Sequence, residues 1–284
     1  MWTCNDVYDN SNRDLFQRIN SSETMVSFLK KVSKEHRYLF HYTTYYALQR
    51  IFEAKKWRFT SARRTNDLHE CDSKRNFDEL KYVFSCSFSH GDEDAIGMWK
   101  MYGSRKAAVC VKFETSAIIS WVMKLDRIRE CYFTNTNLGV DNPFTKNTFR
   151  DISMHDIAYV HGSQQKKCSN VCWGNIVNKV EWSDNISKEY LLSGFLKNSA
   201  WEYEKETRIM ISLPEPSYDK SEETPDEIYL DCEEMLNGIE EIRFSPFSKE
   251  TKETLNNESR LLREKLNNGN VIFSESYFKG KINT

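Results

Sequence analysis

Three clusters of polar residues in this sequence stand where apolar runs begin or end, and a polar side chain at such a place needs a reason to be there. The first is His41-Tyr42-Thr43, which closes the run Tyr38-Leu39-Phe40 and precedes an amphipathic stretch. The second runs from Ser61 to Glu70 and holds Arg63, Arg64, Asn66 and Asp67. The third is Trp201-Glu202-Tyr203-Glu204-Lys205-Glu206-Thr207-Arg208, at the entry to the apolar run ending at Leu213. A histidine and carboxylates are costly to bury unless they are used, so the three clusters together read as material for a site. Each has a plainer reading alone. Thr43 or Thr44 can cap a helix while backbone satisfies His41, Asn66-Asp67 can be a turn, and Arg208 can neutralise Glu204 or Glu206 in a structural pair.

Several kinds of chemistry have no support. The sequence has no G-x-G-x-x-G, no G-x-x-x-x-G-K-[ST], no H-E-x-x-H, no G-x-S-x-G and no kinase signature set. One grouping looks metal-like, Cys168 and Cys172 with His155 and His161 upstream. It lacks a second cysteine pair and its spacing matches no usual zinc module, so no metal site is expected there. The net charge of -2 gives no global attraction to nucleic acid or to an anionic membrane. The N-terminus shows no basic segment followed by an apolar run, and no stretch approaches the roughly 18 apolar residues of a membrane span. The eight cysteines are scattered, several within strand-like runs. A cytoplasmic protein with reduced, packing thiols, and no membrane among its partners, is the expectation.

Elements that position these clusters follow from periodicity. Residues 21–35 have Met25, Phe28, Leu29 and Val32 at helical spacing, and 38–42 reads as a buried strand. A second helix is expected over 44–54, with Leu48, Ile51 and Phe52 on one face, then a strand at 57–60 and a polar loop at 61–67. Strands are expected at 82–88 and 106–113, a helix at 94–102, and a helix or amphipathic strand at 116–123. The pattern weakens over 124–185, where 134–150 is the best candidate for an inserted loop. Beyond it come a helix over 188–200, a strand at 207–213, a solvated acidic loop at 214–227, a strand at 239–244, a helix over 249–266 and a closing strand at 271–277. The regular strand–helix–strand rhythm of a doubly wound sheet is missing. The expected fold class is therefore α+β, a mixed or antiparallel sheet with packed helices, in a single domain over 1–284 with residues 1–20 as an N-terminal extension.

The order of the motifs carries a resemblance. It runs His41-Tyr42-Thr43; Ser61, Asn66, Asp67 and Glu70; Ser85-Cys86-Ser87-Phe88-Ser89; Met98-Trp99 and Tyr102-Gly103; Val111 and Phe113; then Trp201, Glu204, Glu206 and Arg208. With the late segment Ile239 to Pro246, this series resembles the bacterial domain-of-unknown-function family 2971 (DUF2971) over residues 38–255. One departure stands out: where the family usually has N-D-P-x-E, this chain has Asn66-Asp67-Leu68-His69-Glu70, and losing the proline relaxes the turn.

More distantly, a histidine in the first strand, a serine or tyrosine on a middle strand and a late glutamate are similar to the three-part signature of ADP-ribosyltransferases. That resemblance implies a split mixed sheet and NAD as substrate. It implies that His41 binds ribose, that Ser85 or Ser87 braces the site, and that Glu206 or Glu204 stabilises the oxocarbenium-like transition state. It further implies stacking by Tyr42, Trp99 and Tyr102, pyrophosphate contacts from Arg63, Arg64 or Arg208, and Thr43, Asn66, Asp67 and Glu70 around the cofactor. Met98, Trp99 and Tyr102 read equally well as core packing. Three functions compete: an NAD-consuming toxin or anti-phage effector whose acceptor, protein or nucleic acid, stays open; a non-catalytic module sensing a nucleotide or a protein; and a metal-dependent nuclease using Asp67, Glu70, Glu204 and Glu206. The lack of a basic surface counts against the nuclease.

Overall fold

A computed structural model describes residues 36–64, 82–102, 108–134, 144–160, 196–214, 225–248, 252–266 and 270–282. In chain order the elements are β1 (Tyr38–Thr44), α1 (Tyr45–Ala54), β2 (Lys56–Ser61), β3 (Val83–Ser89), α2 (Ile96–Tyr102), β4 (Ala108–Glu114), α3 (Thr115–Ile128), β5 (Glu130–Thr134), β6 (Phe144–Thr148), β7 (Asp151–Asp156), β8 (Ala158–Val160), β9 (Leu196–Asn198), β10 (Glu206–Ser212), β11 (Glu227–Asp231), β12 (Ile239–Phe244), α4 (Lys252–Lys265) and β13 (Ile272–Glu275). Strand pairing is mostly antiparallel, with β12–β13 and β8–β9 parallel. The protein is α+β with a mixed, mainly antiparallel strand arrangement. The helix expected over 21–35, the extension 1–20 and most of the acidic loop at 214–227 lie outside the described residues.

The described residues divide into two compact units. One draws on Arg58–Ser87 and Ile128–Tyr229, the other on His36–Trp57, Phe88–Arg127 and Leu230–Thr284. The sequence pattern suggests no such boundary, because the two units are interleaved along the chain and no linker of distinct composition separates them.

In the first unit β2 pairs antiparallel with β3, Thr60 facing Ser85 and Ser61 facing Phe84. β5 pairs with β11 through Tyr132 and Tyr229, and along its whole length with β6. β7 and β10 pair from Asp151 and Ser212 to Asp156 and Thr207. All seven residues of β10 are buried, so the strand is covered on both faces, and its charged residues stand out for that reason. Two expectations change here. Within 134–150, residues 144–148 form strand β6, whose last four residues (Thr145, Lys146, Asn147 and Thr148) are exposed and polar and give no apolar alternation to read. The helix expected over 188–200 is, over 196–204, strand β9 followed by a 3-10 helix, Ser199–Glu204. Tertiary demand overrides propensity at this point: Lys197 is buried against carboxylates, and Lys205, with a left-handed φ of 42°, redirects the chain into β10.

In the second unit β4 lies between β1 and β12, antiparallel to both, with a register shift between Ile239 and Glu241. α1 starts at Thr44, whose Oγ1 accepts the Ala47 N–H at 3.2 Å, and buries Tyr45, Leu48 and Phe52. The ambiguous 116–123 stretch is helical, part of α3, which buries Ile118, Trp121 and Leu125. Trp121 Nε1 donates to the Asp231 carbonyl at 2.6 Å. A close approach explains Gly238: a Cβ there would lie 2.2 Å from that of Ala117. Cys86, Cys110, Cys131 and Cys232 are unbridged and buried in their units. Burial pushes the Cys131 thiol up to about 12 and those of Cys110 and Cys232 up as well, so these act as packing groups rather than nucleophiles. Among the described residues no helix is long and apolar enough to cross a membrane.

Candidate functional site

Strand period puts Glu206 and Arg208 on one face of β10 and Thr207 on the other. The Arg208 guanidinium meets the Glu206 carboxylate with both prongs, Nε to Oε1 at 2.6 Å and Nη2 to Oε2 at 2.9 Å. Lys197 of β9 donates from Nζ to Glu206 Oε2 at 3.2 Å and to Glu204 Oε2 at 2.6 Å. Ser87 of β3 donates its hydroxyl to Glu206 Oε1. On the opposite face Thr207 donates to Asp156 Oδ1 at 2.7 Å. Lys197, Glu204, Glu206 and Arg208 are each at most 4% exposed, so among the described residues two carboxylates and two cations form a buried cluster of balanced charge.

Burial alone would push the Glu206 carboxyl up. The charges of Arg208 and Lys197, with hydrogen bonds from Arg208 and Ser87, outweigh it and hold the group at about 2. Glu206 is thus an anion throughout the neutral range. A divalent metal does not suit this carboxylate pair, because the Lys197 ammonium already bridges Glu204 and Glu206 where an ion would have to sit. That counts against the nuclease reading.

In the second unit β1 carries His41, partly buried, edge-on to Trp57 at 4.8 Å between ring centroids and tilted against Phe88 at 5.6 Å. Tyr42 packs edge-on to Trp99 at 4.9 Å. Trp99 is fully buried and donates Nε1 to Asp94 Oδ1 at 2.5 Å, while Asp94 Oδ2 accepts Ser276 Oγ at 3.0 Å and the Tyr277 N–H at 2.7 Å. Tyr42, Met98 and Trp99 form a buried core cluster with Phe40, Ala108 and Cys110, and Tyr102 packs against it. Burial raises the Tyr42 phenol far above its ordinary value. Trp99 and Tyr42, expected as stacking surfaces for a ligand, are core residues instead, as helical spacing alone allows.

The remaining candidates distribute as follows. Ser85 lies on the same face of β3 as Ser87 but faces Thr60 of β2, and Ser87 is the serine that reaches Glu206. Thr43 pairs with Val109 near the end of the β1–β4 ladder, and the capping role belongs to Thr44. Arg63 and Arg64 both turn to Asp226, Arg63 at 4.0 Å and Arg64 in direct contact. His155 is buried on β7 opposite Arg208, while Cys168, Cys172 and His161 lie outside the described residues, as do Asn66, Asp67 and Glu70. Sequence reasoning did not single out Lys197. Its one signal was a lone charge at the end of the run Leu191-Leu192-Ser193-Gly194-Phe195-Leu196, easily taken for a helix surface position.

Strand map and buried carboxylate cluster together define an α+β protein with a charged post inside its first unit. The family model described as "Protein of unknown function (DUF2971)" matches residues 98–209, a span that runs from the Met98-Trp99 motif to the strand bearing Arg208. The resemblance read from the motif order is borne out over those residues, while the motifs at 41–43, 61–70, 85–89 and 239–246 lie outside the match. No curated protein matches the sequence. Among solved structures the chain is similar to Thermus sp. 2.9 DarT in complex with carba-NAD+, at 8% identity and a TM-score of 0.33, over 85% of this chain and 96% of that one. The complexes of that protein with NAD+ and with ADP-ribosylated ssDNA match at the same identity and score, over 86% of this chain and 97% and 95% of theirs. At that score the reading of the site falls to this chain's own residues.

Proposed function

We propose that this protein is an NAD-consuming enzyme of ADP-ribosyltransferase type, with Glu206 as the anion that faces the developing ribosyl cation. The carrying observation is the Ser87–Glu206 hydrogen bond within a cluster that holds the carboxylate ionised at every physiological pH. In this reaction the nicotinamide–ribose C–N bond breaks and its electron pair leaves with nicotinamide. Positive charge gathers at ribose C1′ and its ring oxygen, where a fixed carboxylate offsets it. Attack by an acceptor nucleophile, which gives up a proton, completes the transfer; water in its place yields ADP-ribose. Service in a toxin or anti-phage effector is the biological setting proposed with it.

Four donors fill the acceptor directions of Glu206: Ser87, Lys197 and the two prongs of Arg208. The enzyme reading therefore requires substrate to displace one donor, and the longest of these four contacts is that of Lys197 at 3.2 Å. The same saturation favours a second reading, a non-catalytic module that recognises a nucleotide or a protein and uses the cluster as a rigid post. Purified protein incubated with NAD and cell lysate separates the two. Nicotinamide release supports the enzyme, whereas NAD-induced thermal stabilisation without any product supports the module.

A further inference from the structure

Helix α4 of the second unit presents an unusual face. Asn256, Ser259, Arg260 and Arg263 follow one another at helical spacings of three, one and three residues, so they share a stripe, and all four line a cavity of about 340 Å3. A helix packed on a sheet normally turns apolar residues toward it. Here Leu262 and Leu266 do so, buried, while the polar stripe borders a hollow over the parallel pair β12–β13. The wall opposite is aromatic: Phe244 is buried, and Phe273 lies under the Arg263 guanidinium, 4.9 Å from ring centroid to Cζ. Among the described residues Arg263 makes no ion pair. Arg260 has a single distant one, 3.9 Å to Glu264, with both side chains mostly exposed.

The charge balance of the hollow is positive. The one acid among its described lining residues, Glu275, is paired with Lys279 at 3.4 Å, and Ser274 is engaged by Glu241 and Arg243. Two guanidinium groups one turn apart, with an amide and a hydroxyl on the same stripe, offer the forked donors that a phosphate oxygen set takes up. An arginine already stacked on a phenyl ring keeps its outer face for a second planar group. The volume falls at the lower end of the roughly 300–1,000 Å3 typical of small-molecule pockets.

From this convergence we infer that the α4–β13 hollow is a binding site for a small phosphate monoester carrying a planar ring, of nucleoside monophosphate size. Phosphate lies on Arg260 with Asn256 and Ser259, and the ring lies on the guanidinium of Arg263.

Titration calorimetry of the full chain with AMP, adenosine and inorganic phosphate tests the inference. AMP is expected to bind, phosphate to bind more weakly, and adenosine not to bind. The exposed pair R260A and R263A, made together, is expected to keep the wild-type Tm and to weaken AMP at least about tenfold. The same double-arginine variant is expected to leave nicotinamide release from NAD as it is in the wild type, so a failure of the NAD reading stays separate. No heat with AMP or phosphate, or AMP binding undiminished in the double-arginine variant, would each overturn the site.

Discussion

Replacing Glu206 by glutamine should expose the energetics of the buried cluster through its pH dependence. The carboxyl is 3% exposed and its pKa is held at about 2, well below the ordinary glutamate value of about 4.5. Lowering the carboxyl from about 4.5 to about 2 on folding corresponds to about 3 kcal/mol of folding free energy. The sign follows from linkage. Because the folded pKa lies below the unfolded one, this stability is fully present above about pH 4.5 and drains away as pH falls toward about 2. Glutamine keeps the shape and can still accept from Ser87, but it takes the negative charge away from the Lys197 ammonium and the Arg208 guanidinium. The cluster passes from neutral to a net charge of about +1, and breaking a buried pair in this way costs about 3–5 kcal/mol. Urea unfolding followed by tryptophan fluorescence, run on both proteins from about pH 7 to about pH 3, reads the difference directly. The gap should be widest near neutrality and should narrow steadily below about pH 4.5. A gap under about 1 kcal/mol at neutrality, or one that does not change with pH, would refute the assignment of Glu206 as a buried anion stabilised by these cations.

Lys197→Met removes the cation shared by Glu204 and Glu206 and should destabilise by about 3–5 kcal/mol near neutrality, again read by urea unfolding. Ser87→Ala should cost about 1.5–3 kcal/mol by loss of a hydrogen bond to a charged group, while Ser85→Ala should cost clearly less in the same assay. Gly238→Ala drives a methyl group onto Ala117 and should cost about 1–3 kcal/mol, and adding Ala117→Gly should restore part of that loss in thermal unfolding.

Much of the fold is legible in the sequence, because its strands and helices carry strong periodicity. β1, β2, β3, β4, β10 and β12, with α1, α2 and α4, fall within a few residues of the expected positions. β6 is hidden by its polar, exposed residues, and β7 and β8 fall in the same weakly patterned stretch. β9 imitates the end of a helix because the apolar spacing of 191–196 runs straight into it. The division into two units leaves no mark, since interleaved segments share one composition. Of the candidate site, Glu204, Glu206 and Arg208 come together as their spacing at a strand entry suggests, and Ser87 joins them from β3. Lys197 is missed because a single lysine on an apparent helix carries no signal of burial. Trp99 shows the opposite failure: an aromatic beside polar motifs is equally consistent with a ligand surface or a core, and only its contacts with Tyr42 and Asp94 decide for the core.

The measurement bearing most directly on the proposed chemistry is nicotinamide release from NAD, followed with wild-type protein and Glu206→Gln side by side, at a urea-free temperature where circular dichroism shows both folded. Release by the wild type in the presence of lysate acceptors, abolished in the variant, is the expected result. No release by the wild type, or release that survives in folded Glu206→Gln, would contradict the role given to this carboxylate.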